Sequence, residues 1–92
     1  MSTSPGTLYL VATPIGNLAD MTERGVATLR AVSQIVAEDT RRSRGLLSHF
    51  GITGKELSAL DANASERAVA RVVSILKEGR DVAFVKIGRA HV

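Results

Sequence analysis

The apolar positions fall into short clusters separated by polar, turn-rich segments, and the spacing within the clusters alternates between two periods. Leu8-Tyr9-Leu10-Val11-Ala12 is a continuous apolar run, as in a strand covered on both faces. It stops at the turn-rich Thr13-Pro14-Ile15-Gly16-Asn17. Asp20 and Glu23 have capping-box spacing, and Val26, Leu29 and Val32 recur at helical intervals, which predicts a helix over 21–32. Ile35-Val36-Ala37 reads as a second strand. A second helix over 42–50 should bury Leu46, Leu47 and Phe50 and stop at Gly51, its C-terminal cap. A weaker third strand is expected over 57–60. Val69, Val72, Val73 and Leu76 then make the i, i+3, i+4, i+7 stripe of an amphipathic helix ending at Gly79, and Val82-Ala83-Phe84-Val85 is a fourth strand. The order βαβαβαβ with short connections predicts an α/β fold, a parallel sheet wrapped by helices in one domain.

Open sheets of this kind bind ligands in the crevice beyond the carboxyl ends of their strands, so the residues that follow each strand bear on chemistry. Those positions are polar: Thr13 and Asn17 after the first strand, Glu38, Asp39 and Thr40 after the second, Asp61 and Asn63 after the third. The first loop has neither the G-x-G-x-x-G of dinucleotide binders nor the G-x-x-x-x-G-K-[ST] of phosphate loops. Pro14 stiffens it and Gly16 lets backbone approach a ligand closely, features that suit a cofactor loop and also an ordinary turn. Glu38 and Asp39 precede a helix, where a carboxylate can cap the N-terminus or meet a ligand. Arg41, Arg42 and Arg44 stand where cations cost ~0.3–1 kcal/mol each against the helix dipole. Neutralisation by the two acids, phosphate contacts, or a solvated charged face would each account for them.

Composition narrows the classes further. Twelve basic against nine acidic residues in 92 leave a net charge of +3, compatible with phosphate contact, while 3% aromatic residues argue against recognition by base stacking. The absence of cysteine excludes disulfides and thiolate chemistry and is compatible with an intracellular, cytoplasmic protein. His49 reads as a packing residue in a last helical turn and His91 has no partner at ligand spacing, so no metal is expected. Ser43, Ser48 and Ser65 lack a G-x-S-x-G context for a hydrolase. Met1 to Gly6 reads as a flexible polar tail without signal-peptide features, and no apolar run approaches the ~20 residues of a membrane span.

Three segments together, Leu8 to Leu18, Ala37-Glu38-Asp39-Thr40-Arg41 and Leu46-Leu47-Ser48-His49-Phe50-Gly51-Ile52, resemble in order and spacing the small-subunit ribosomal RNA methyltransferase I family. That family lies within the tetrapyrrole methylase superfamily of class III methyltransferases, and the likeness runs from about Thr7 to Val85. The resemblance implies S-adenosylmethionine as cofactor, held between two α/β domains. It also implies a cytidine ribose 2'-hydroxyl of 16S ribosomal RNA on the assembled 30S subunit as substrate, and a homodimer at full length. On that basis Thr13, Pro14, Gly16, Asn17 and Thr40 shape the cofactor or substrate crevice, Glu38 and Asp39 are the candidates for contacts to ligand hydroxyls or for general base, and Arg41, Arg42 and Arg44 meet RNA. Asp61-Ala62-Asn63-Ala64-Ser65 departs from the family, whose members usually carry a histidine-rich stretch there. After Val85 the family continues into a Ser-Asp-Ala-Gly-Thr-Pro loop, whereas Lys86 to Val92 here matches the translation of a common sequencing adapter and is expected to be non-native, leaving a truncated domain over 7–85 and an inactive fragment. A precorrin-type tetrapyrrole methyltransferase, whose first loop is usually of Gly-Pro-Gly-Asp type, and a non-catalytic basic RNA-binding fragment are the alternatives.

Overall fold

The computed structural model describes residues 4–14, 18–60 and 65–87. Four strands, β1 (Leu8–Thr13), β2 (Gln34–Ala37), β3 (Glu56–Ala59) and β4 (Val82–Ile87), alternate with three α-helices, α1 (Glu23–Ala31), α2 (Thr40–His49) and α3 (Glu66–Lys77). The strands form one all-parallel sheet in the order β1-β4-β2-β3, with Leu8 level with Val82, Gln34 level with Val82 and Gln34 level with Glu56. The α/β expectation therefore holds.

Side-chain alternation along the strands sorts the core into two layers. Val11, Ile35, Ala37, Ala83 and Val85 pack with Leu29 of α1 and Leu46 and Leu47 of α2. On the opposite face Val36 and Val82 pack with Val72 and Ile75 of α3. This distribution follows from right-handed crossovers: β1 to β2 and β2 to β3 move one way across the sheet, and β3 to β4 moves back.

Each helix has a side-chain cap. Thr22 caps α1 by accepting from the Gly25 amide at 3.0 Å, and the expected Asp20 lies instead in a 3₁₀ turn at Leu18–Asp20. Asp39 caps α2 by accepting from the Arg42 amide at 3.1 Å, so α2 begins two residues before the expected 42. Ser65 caps α3 by accepting from the Ala68 amide at 3.1 Å. At the far end of α2, Gly51 adopts φ 65°, its amide bonds the Ser48 carbonyl and the Ile52 amide bonds the Leu47 carbonyl. That is a Schellman closure, sealed by burial of both Ile52 and Leu47. Gly79 at φ 89° closes α3 in the same way.

Two apolar expectations are corrected. The Leu8–Ala12 run is covered at Val11 alone: Leu10 is 71% exposed, Leu8 44% and Tyr9 39%, because β1 is an edge strand and α3 packs over β2 and β4. The buried stripe of α3 is Val72 with Ile75, flanked by half-buried Ala68 and Leu76, while Val69 and Val73 are exposed. The N-terminal segment is tied to the end of α3 and the start of β4. The Gly6 amide donates to the Leu76 carbonyl, the Thr7 amide to the Asp81 carboxylate, and a Cβ at Gly6 would collide with the Arg80 backbone. No helix of the described residues is long and apolar enough to cross a membrane.

Candidate functional site

Parallel pairing places the carboxyl ends of β1, β2 and β4 along one rim. Through the β4 register, Thr13 pairs with Ile87 and Ala37 with Val85, so Asp39 is about level with Thr13. Two strand spacings separate them, roughly 10 Å. Thr13 and Pro14 from one strand end and Glu38, Asp39 and Thr40 from another thus lie at the same end of the sheet. Gly16, Asn17, Asp61, Asn63 and His91 lie outside the described residues.

The partners of these groups divide them. Thr13 is buried and its hydroxyl donates to the Lys86 carbonyl at 3.3 Å, tying the end of β1 to β4. The Glu38 amide donates to the Val85 carbonyl at 3.4 Å, which carries β2–β4 pairing up to the rim. Asp39 caps α2 through Oδ1, as its position before the helix allowed. Glu38 and Thr40 are half-buried. Ser43, on the sheet-facing side of α2 one turn in from the rim, is buried to 2% exposure, and its hydroxyl has no hydrogen-bond partner among the described residues. Buried polar groups are nearly always paired, so an orphan hydroxyl one turn from the rim is an exception.

Arg41, Arg42 and Arg44 are exposed in the first turns of α2. Among the described residues none forms an ion pair, and Asp39 engages the Arg42 amide and not its guanidinium. Of the explanations open at the sequence level, direct pairing with Asp39 is thereby removed, and three cations stand near the positive end of a helix dipole with no ion pair among the described residues. His49 is exposed, its ring edge-on to that of the adjacent Phe50 with centroids 4.8 Å apart.

A parallel sheet with a polar carboxyl rim is the architecture of a small-molecule-binding α/β domain, and the Tetrapyrrole (Corrin/Porphyrin) Methylases family model matches residues 7–92. The chain belongs to that methylase family. Among its relatives it is 51% identical over 80 residues to ribosomal RNA small subunit methyltransferase I of Halalkalibacterium halodurans, covering 87% of this chain and 27% of the relative. The protein of the same name from Xylella fastidiosa is 49% identical over 85 residues, covering 92% and 30%. That of Streptococcus pyogenes serotype M3 is 52% identical over 80 residues, covering 87% and 28%. The chain thus spans less than a third of the length of these curated relatives.

The sequence reading missed one polar feature, Gln34. It is buried to 2% exposure at the first position of β2, on the face that carries α3. Its only sequence signal is a polar residue beginning an otherwise apolar strand.

Proposed function

We propose that this chain is part of an S-adenosylmethionine-dependent methyltransferase that modifies a cytidine ribose 2'-hydroxyl in 16S ribosomal RNA, met in the cytoplasm on the small subunit. The observation that carries the reading is the convergence of Thr13 and Pro14 with Glu38, Asp39 and Thr40 at one rim, in a chain about half identical to proteins named as small-subunit ribosomal RNA methyltransferases.

The donor set suits a nucleoside-bearing cofactor: two carboxylates for ribose hydroxyls, threonine hydroxyls, and the orphan Ser43 hydroxyl beneath. When bound, S-adenosylmethionine supplies an electrophilic methyl group. The remaining work is positional, since in-line transfer needs reacting atoms held at ~3–3.5 Å. In this reading Pro14, Gly16 and Asn17 line the first loop. Asp39 fixes α2 relative to β2, and Glu38 accepts the proton leaving the ribose hydroxyl. Arg41, Arg42 and Arg44 hold RNA phosphate with support from the helix N-terminus. The chain supplies one wall of the crevice, so turnover belongs to the whole enzyme, proposed to be a homodimer.

Replacing Arg41 and Arg42 together by alanine lowers affinity for small-subunit RNA and reduces the slope of log K against log salt by about two. A filter-binding series over salt concentration measures it, and an unchanged slope removes the arginines from the interface. In the intact enzyme Glu38→Gln lowers methyl incorporation from labelled cofactor by ~100-fold or more if Glu38 is the base. Wild-type incorporation by that variant would assign the proton elsewhere.

A further inference from the structure

On the opposite face of the sheet from α1 and α2, a cavity of about 270 Å³ lies between β2, β3 and α3. Gln34 lines one part of it, Val36 and Val72 supply apolar wall, and Ser58, Ser65, Arg67 and Arg71 complete the polar lining. Gln34 is more than nine-tenths buried, yet its Oε1 has no hydrogen-bond partner among the described residues. A buried acceptor lining an open cavity and left unpaired calls for a donor from whatever enters. Arg67 and Arg71 are one turn apart on the same flank of α3, and no ion pair engages either among the described residues. Like charges at that spacing repel, and an anion between them removes the repulsion.

The occupant is thereby defined at both ends: a hydrogen-bond donor at Gln34, an apolar body, and an anionic group at the arginines. The volume falls just under the ~300 Å³ at which small-molecule pockets begin, enough for one monomer and too little for a dinucleotide. An adenine edge presents an amino donor beside a ring-nitrogen acceptor, the complement of a glutamine amide, and a phosphate suits paired guanidinium groups. We propose that this cavity binds an adenylate-type nucleotide, its base amino group donating to Gln34 and its phosphate lying on Arg67 and Arg71. The site lies on the other face of the sheet from α2 and does not depend on the methyl-transfer reading.

Calorimetric titration of the 92-residue chain with adenosine monophosphate tests it. Purine riboside monophosphate, which lacks the amino group, should bind about tenfold more weakly, and inorganic phosphate weaker again. Gln34→Met should lose about tenfold in adenylate affinity and cease to distinguish the two nucleotides, with its thermal midpoint not lowered, since it removes an orphan acceptor. Arg67→Glu with Arg71→Glu, both exposed, should abolish binding while circular dichroism stays unchanged. Tighter binding of a short oligoadenylate than of the monophosphate would place the nucleotide within an RNA strand, and the reverse order would make it a free metabolite. Absence of adenylate binding at millimolar concentration, equal affinity for the two purine nucleotides, or full binding by either variant would overturn the proposal.

Discussion

Asp39 serves two masters: its Oδ1 is a helix cap, and it sits on the rim where a ligand is proposed. The two roles separate by substitution. Asp39→Ala removes the cap and should cost about 1 kcal/mol in urea denaturation, while Asp39→Asn, which can accept the same bond, should stay within a few tenths of wild type. Equal losses in both variants would show that the carboxylate charge, and not the cap, carries the stability. At this scale the sequence was informative where a residue's role is local. A carboxylate directly before a helix has few uses, and capping was among those foreseen. Gln34 was not legible because neither its burial nor its lack of a partner is local. Both depend on α3, contributed more than 30 residues later, roofing the start of β2.

Elements were read well where period and punctuation agreed. Gly51 and Gly79 were recognisable as stops because a left-handed residue after a helix is nearly always glycine, and both have positive φ. The start of α1 was misplaced because Asp20 and Thr22 both resemble caps, and only the three-dimensional turn at 18–20 decides between them. The stripe of α3 was read too broadly, since four apolar residues at helical spacing do not say where the sheet lies, and Val69 and Val73 turned out to be exposed. The two glycines of the α2 region make a paired prediction. Gly45 is exposed inside α2 with nothing within 4 Å of an added Cβ, so Gly45→Ala should stabilise by about 0.8–1 kcal/mol. Gly51 has equal space but φ 65°, so Gly51→Ala should destabilise by about 1 kcal/mol or more. Thermal unfolding of both variants measures the contrast, and shifts of the same sign would contradict the backbone assignment.

At the scale of the whole molecule, β1 is an edge strand among the described residues, with Leu8 and Leu10 exposed on the α3 side, and the flank of α3 away from Arg67 and Arg71 exposes Val69 and Val73. An apolar ledge beside an open strand invites association between copies. Sedimentation of the chain should show self-association rising with concentration, and Leu10→Lys should suppress it without altering the fold. Equal sedimentation of the two proteins would show that the ledge is inert. The run of apolar residues in β1 had signalled two-sided cover, and only Val11 of the run is covered by the described residues. Sequence reports how apolar a strand is, whereas its neighbours are set by topology.

The strand order carries a consequence for assembly in time. β2 and β3 are neighbours, so they can zip together as soon as residue 59 has been made. Among the described residues β1 pairs only with β4, the last of the four strands in sequence, through partners such as Leu8 and Val82. β1 therefore waits until residue 82 has been made before it acquires this hydrogen-bonded neighbour, the long-range closure that slows folding. A chain stopped ahead of Val82 would leave β1 stranded and the β2–β3 pair without its wedge.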